Sequence, residues 1–372
     1  MPETGFQTAN DGAALHAIGL MSGTSLDGVD AAVIRTDGER ILATGRSATL
    51  FYEEPLRARL RALLDAAPGL PADDPELRAL DRLLADRHAE AVAMVASRAD
   101  VVGFHGQTIL HDPDRRRTWQ IGDAAHLAHK TRLPVVHDFR SADVAAGGQG
   151  APLAPLFHAA LAEALEKPLL VVNIGGVANI TWLGPAGEVL ACDTGPGNGP
   201  LDDWVQRATG AAFDADGALA AAGRLDERRL ARLMDDPWFA RPAPKSLDRL
   251  HFSTRLAAAT EGLSAADGAA LLAAFTAAAI AASPLPAPPL RVLVAGGGRH
   301  NAAIMAALRR HFAAPVEPVE AVGWDGDALE AQCFGFLAVR ALRGLPLSLP
   351  GTTGVPAPLA GGRIVRPGPE SE

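Results

Sequence analysis

HAIGLMSGTSLDGVDAAVIRTDGERILATG, residues 16–45, sets an apolar run against a turn crowded with oxygen-bearing side chains and then returns to apolar sequence. Residues 16–23 read as a short buried strand, and 28–45 as two more strands joined by the turn pair Asp37-Gly38, a three-stranded meander. A helix follows: between Asp74 and Arg98, Leu77, Leu80, Leu83, Leu84, Ala91 and Met94 recur at spacings of three and four. DVVGFHGQ, residues 100–107, reads as the next strand. KPLLVVNIGGVANITWLGPAGEVLACD, residues 167–193, repeats this order, as strand, Gly-rich turn, strand, Pro-Ala-Gly turn and strand. A long Ala/Leu helix from Asp267 to Ala282 then leads into the strand RVLVAGGG. Two halves with one grammar predict two similar α/β domains with a cleft between them, as does a length of 372 residues, beyond what one core usually fills.

The domain boundary is expected in Leu133–Gly150, where Pro134 and the Gly147-Gly148-Gln149-Gly150 run interrupt periodicity. The predicted domains are 1–138, joined by a tail of about 346–372 folded back over it, and 139–345. That tail is too rich in Pro and Gly to predict a helix.

Composition narrows the function. With 48% hydrophobic and 21% charged residues the chain is ordinary for a globular protein, and no apolar run reaches the roughly 18 residues a membrane span needs. The first residues lack the basic and apolar regions of a signal peptide, so the expected location is the cytoplasm. A net charge of −9 without a Lys-rich stripe argues against nucleic acid and for a small-molecule ligand. Cys192 and Cys333 belong to no metal or redox cluster and read as packing residues.

Several motifs point to chemistry. The 23–30 turn, with small residues, hydroxyls and Asp27 and Asp30, suits an oxyanion that must approach backbone N–H groups, and Ser22 to Ser25 are candidates to hold phosphate. It fits neither GxxxxGK[ST] nor a GxGxxG before a helix. Asp193 closes an apolar strand before the turn TGPGNG, so its carboxylate is expected at the strand's carboxyl end, as general base, metal ligand or turn residue. AGGGRHN, residues 295–301, is expected to bring a flat base or phosphate close to the start of a helix. His105 and Gln107 are candidates to hydrogen-bond a polar ligand, and Asp138, Arg140 and Asp143 to line a sugar cleft. His111, His126 and His129 add density without any metal-binding spacing. Asp327 is the expected cap of the helix that follows it, with Glu330 in its first turn either complementing the helix dipole or facing a cleft.

Taken together, GLMSGTSLDGVDAAV, VVGFHGQTI, FRSADVAAGGQGAPLAP, VVNIGGVANIT, DTGPGN, AGGGRHN, DALEAQCFGFLAVR and GLPLSLPGTTG resemble the anhydro-N-acetylmuramic acid kinase family from about Gly19 to Thr353. That resemblance implies the sugar kinase, heat-shock chaperone and actin architecture, two ribonuclease-H-like domains closing over ATP. It implies an ATP- and Mg²⁺-dependent kinase of peptidoglycan recycling, a homodimer, acting on an amino sugar. By similarity Gly23, Thr24, Ser25, Leu26, Asp27, Gly28, Val29 and Asp30 form the phosphate loop. Gly296, Gly297 and Asn301 join the nucleotide pocket, Asp193 matches the catalytic carboxylate, and His105, Gln107, Arg140 and Glu330 are the candidate sugar contacts. No metal ligand is assigned. One segment departs from the pattern: where the family carries Lys-Ser-Thr-Gly-Arg-Glu and then Phe, PKSLDRLHF (244–252) keeps Lys245, Ser246, Arg249 and Phe252 but loses Thr-Gly and Glu, leaving its role open.

Overall fold

A computed structural model describes residues 13–23, 26–95, 98–247 and 251–368. Its strands fall into two sheets of one design. In the first, β1 (Leu15–Ser22), β2 (Gly28–Thr36) and β3 (Ile41–Phe51) form the antiparallel meander, and β4 (Val101–Asp112) and β6 (Val135–His137) add in parallel on the other side of β1. The short β5 (Arg117–Ile121) is a hairpin partner of β4. In the second sheet β7 (Leu169–Ile174), β8 (Val177–Leu183) and β9 (Val189–Pro196) repeat the meander, and β10 (Arg291–Ala295) and β11 (Val316–Pro318) repeat the parallel addition. Both sheets have the ribonuclease-H-like strand order, 3-2-1-4-5, so the predicted pair of α/β units is present.

Burial explains this layout. In β1, the successive residues Ala17, Ile18 and Leu20 are fully buried, so both faces are covered, as parallel connections require. One face takes the Pro75–Val95 helix through Leu77, Leu80, Leu84 and Ala91. Leu83 is only half-buried, Met94 is exposed, and His88 fills a core position on the stripe instead. The other face takes the Leu329–Leu342 helix, ten of whose residues are buried. This helix packs against β1, β2 and β4 while sharing a core with Leu169, Val171 and Leu293 of the second sheet, so it is the wall between the two sheets. It comes so near that a Cβ on Gly19 would lie 1.7 Å from the carbonyl oxygen of Ala331, and one on Gly103 2.0 Å from that of Phe334. The Ala265–Ala281 helix is buried almost all round beneath the second sheet.

The tail does fold back: β12 (Arg363–Val365) pairs antiparallel with β6. It also holds a four-residue helix, Pro350–Thr353, which its composition did not predict. Proline there opens the turn and Gly354, at φ 81°, closes it. Cys192 and Cys333 are free and buried, as packing residues should be. No helix among the described residues is long and apolar enough to cross a membrane.

Candidate active site

Three turns meet where the sheets face each other. The first joins β1 to β2. Leu26, at φ 60°, donates its N–H to Gly23 O (3.2 Å) and buries its side chain; Val29 is likewise core. Ser22 is buried, its hydroxyl donating to Gly28 O (3.0 Å) and touching the Tyr52 hydroxyl at 2.5 Å. Contrary to the sequence reading, Ser22 therefore braces the turn from below. Thr24 and Ser25 lie outside the described residues. Asp27 is exposed and 3.4 Å from an Arg57 nitrogen, while Asp30 accepts the Thr49 hydroxyl at 2.6 Å. Burial, aided by Asp327 and Asp27, raises the Asp30 carboxyl above its ordinary range. Gln107 lies beneath this turn, fully buried, donating to Gly23 O (3.2 Å) and Thr108 O (3.3 Å), and its side-chain oxygen has no partner among the described residues.

The second turn, Gly175-Gly176, closes the β7–β8 hairpin, the Gly-rich turn expected between those strands. Its carbonyls accept N–H groups from the DTGPGN turn: Asn198 on Gly175 O (2.7 Å), Gly197 on Gly176 O (3.0 Å). The third is Gly296-Gly297. Gly296 sits at φ 72°, where an added Cβ would be 2.4 Å from the Asn173 side-chain oxygen and 2.6 Å from Ile174 O, so the third turn packs on the end of β7 that leads into the second. Buried Arg299 holds this turn, bonding Gly296 O (3.0 Å), Glu320 (2.8 Å) and Asp327 (2.7 Å). Two expectations change here. A 3₁₀ turn, Gly297–His300, separates the glycines from the Ala302–His311 helix, and Asn301 caps that helix, its side-chain oxygen accepting the N–H groups of Ala303 and Ile304. Asp327, expected as a cap, instead gives its carboxylate to Arg299, and the Leu329–Leu342 helix starts without a side-chain cap.

Asp30, Asn173, Gly175, Gly296, Gly297 and Glu330 line one open pocket between the sheets. Glu330 accepts from the Asn173 amide at 3.1 Å, and enclosure by the walls raises its carboxyl. The cleft placement, one of two readings of Glu330, is thus the observed one; Asn173 and Arg299 were missed. Only the match between NIGG and the first turn could have flagged Asn173.

Asp193 and Arg140 form the electrostatic centre beside this pocket. Asp193 sits inside β9, one residue before a bulge at Thr194: Asn179 faces Asp193 and Ala178 faces Gly195. Its N–H donates to Lys245 O (2.9 Å), and its Oδ2 accepts the Leu247 N–H at 2.8 Å. Burial pushes its carboxyl up to about 6, opposed by that N–H and by the cations Arg140 and Lys245. Arg140 donates through Nε to His105 Nε2 (3.0 Å) and through Nη1 to Gly150 O (2.7 Å). His105 Nε2 is therefore the acceptor, and Nδ1–H donates to Gly106 O at 2.7 Å. Burial and Arg140 hold this imidazole neutral, well below its usual range. The arrangement offers a carboxylate poised near neutrality, a fixed guanidinium, and glycine turns open to phosphate. Among the described residues no three His, Cys, Asp or Glu side chains are grouped to hold a metal; His126 pairs with Asp86 and His111 with Thr118.

The anhydro-N-acetylmuramic acid kinase family model matches residues 15–366. An anhydro-N-acetylmuramic acid kinase of Acidiphilium cryptum is 92% identical over 358 residues, 96% of this chain and 100% of that protein. One from Rhodospirillum rubrum is 55% identical, covering 95% and 94%. Among solved structures, a ROK family glucokinase from Streptomyces griseus is 18% identical, covers 87% of this chain and 99% of that one, and gives a TM-score of 0.38.

Proposed function

This chain belongs to the anhydro-N-acetylmuramic acid kinase family, and from that premise we propose how its cleft performs the family's reaction. The enzyme is a kinase of cell wall recycling: it takes 1,6-anhydro-N-acetylmuramate, ATP and water to N-acetylmuramate 6-phosphate and ADP. In the anhydro sugar O6 is bonded to C1, so no 6-hydroxyl exists for a base to deprotonate. Asp193 takes a proton from water while the oxygen of that water bonds to C1. The C1–O6 bond breaks with its electron pair on O6, O6 bonds to the γ-phosphorus, and the bridging oxygen leaves with ADP. Asp193 supports this role because one carboxylate oxygen is held by a backbone N–H, while among the described residues no hydrogen bond engages the other, which can accept a proton.

The nucleotide's phosphates fit between the 23–30 turn and Gly175-Gly176, and its nucleoside beside Gly296-Gly297. Gln107, whose buried side-chain oxygen has no partner among the described residues, Arg140 and Glu330 are the groups available to the sugar and to charge developing on the transferred group, and His105, with both ring nitrogens engaged, acts through Arg140. Asp30, which lines the pocket, is a carboxylate available there to a divalent cation. It suits Mg²⁺ held chiefly by ATP phosphates, which would neutralise phosphate charge when bound. The two lobes, 1–138 with 346–372 and 139–345, close to exclude bulk water and limit idle ATP hydrolysis. A cytoplasmic homodimer is the matching assembly, which sedimentation tests directly.

Asp193→Asn is expected to lower kcat by roughly 10²–10⁴-fold with ATP affinity unchanged, measured by ADP release and nucleotide titration. Turnover above about a tenth of the parent rate refutes Asp193 as base. Phosphorylation of open N-acetylmuramate but not of the anhydro sugar refutes the hydrolytic reaction.

A further inference from the structure

The segment that departs from the family pattern lies against Asp193. Lys245 O receives the Asp193 N–H and the Leu247 N–H binds Asp193 Oδ2, so residues 245–247 grip the carboxylate at both its backbone and its side chain. Both contacts come from main-chain atoms of the strap, which is why Leu247 can stand where the family has Thr. Asp248, Arg249 and Leu250 lie outside the described residues. Lys245 anchors one end: it is buried, its Nζ donates to Trp238 O at 2.8 Å and lies 4.6 Å over the Trp238 ring, and that indole in turn donates to Thr194 O (2.9 Å) at the bulge beside Asp193.

Between these two contacts, the Ser246 hydroxyl donates to the Gln149 side-chain oxygen. Gln149 belongs to the loop 147–150, which is itself pinned. The Gly150 N–H donates to Asp143 Oδ1 (2.6 Å), the Thr353 hydroxyl to Asp143 Oδ2 (2.6 Å), and the Gln149 N–H to Thr353 O (2.7 Å). The Gly150 carbonyl from the same loop receives Arg140. One four-residue loop therefore contacts the supports of both charged groups at the reaction centre, the strap of Asp193 and the guanidinium of Arg140.

We propose that the Ser246–Gln149 hydrogen bond is a clasp that sets Asp193 relative to Arg140, making Ser246 and Gln149 positioning residues for the hydrolytic ring opening. The clasp rests on Asp193 being the base. With Oδ2 committed to Leu247, rotation of the carboxylate is restricted, and among the described residues Oδ1 is left for the water. Opening the clasp frees the strap and with it the carboxylate, and misplacement by about 1 Å is enough to cost on the order of 10²-fold in rate. Nucleotide contacts come from other turns and do not depend on it.

The test uses the full-length enzyme, with ADP release measured at saturating anhydro sugar. Ser246→Ala and Gln149→Ala are each expected to lower kcat at least about tenfold, with KM for ATP within about twofold of the parent. The double variant should be no slower than the worse single one, because each removes the same bond. Ser246→Thr, which keeps the hydroxyl, should restore most of the rate, an outcome that a general loosening of the fold does not give. Single variants that keep more than half of kcat, losses that multiply in the double variant, or a failed threonine rescue each overturn the clasp. Asp193→Asn in the same assay separates the two readings: if it is inactive while Ser246→Ala is normal, only the clasp fails; if it is active, the base assignment fails.

Discussion

With Asp193 as the proposed base, burial that lifts its carboxyl to about 6 makes testable predictions for both rate and stability. A base works ionised, so kcat is expected to be flat above pH 7 and to fall about tenfold per unit well below pH 6, as a pH profile at saturating substrates checks. Stability runs the other way. The unfolded carboxyl ionises near its ordinary value, so between that value and about 6 the folded state binds the extra proton, and above 6 it must hold a charge that burial disfavours. Asp193→Asn is therefore expected to stabilise the protein by on the order of 2–3 kcal/mol above pH 7, shrinking toward pH 4, measurable by urea denaturation at both pH values. Of the individual residues, Asp193 stood out as a carboxylate closing an apolar strand, but base, metal ligand and turn residue stayed open on spacing, and only the resemblance marked it as the carboxylate to test. Ser22 and Asn301 were not legible: a buried brace and a helix cap use the same polar atoms that a ligand contact would, and only their neighbours distinguish them.

Among the elements, the strands were readable because alternation and turn residues are local, and both meanders came directly from them. The Leu329–Leu342 helix was readable as a helix, but its partner was not, since the contact is made by glycines in strands more than two hundred residues away. Gly103→Ala would drive a Cβ to 2.0 Å from Phe334 O, backbone that cannot swing aside. It is expected to cost more than about 3 kcal/mol or to abolish soluble folded protein. Gly69→Ala, with nothing within 4 Å of the new Cβ, should be nearly neutral. Thermal midpoints of the two variants make the comparison. Asp327 shows the opposite error: the rule for helix caps is local, whereas the buried Arg299 that claims its carboxylate comes from a distant turn.

For the whole molecule, the repeated strand order implied two facing units, but nothing in the spacing of residues revealed how the last part of the chain ties them together. The tail adds β12 to the first sheet and sends Thr353 to Asp143, the residue that pins the loop at the clasp. A chain ending at residue 345 is expected to melt several degrees lower, about 2–4 °C for each kcal/mol lost, and to lose kcat more than ATP affinity. The wall helix has a further consequence, in the order of synthesis. The strands β1 to β6 of the first sheet are complete by residue 137, but one of their faces is covered by residues 329–342. At ribosomal speeds of roughly 5–20 residues per second, that apolar face waits on the order of 10–40 s for its cover. Until residues 329–342 follow, the face of the nascent first sheet lies open to whatever shields exposed sheets in the cell.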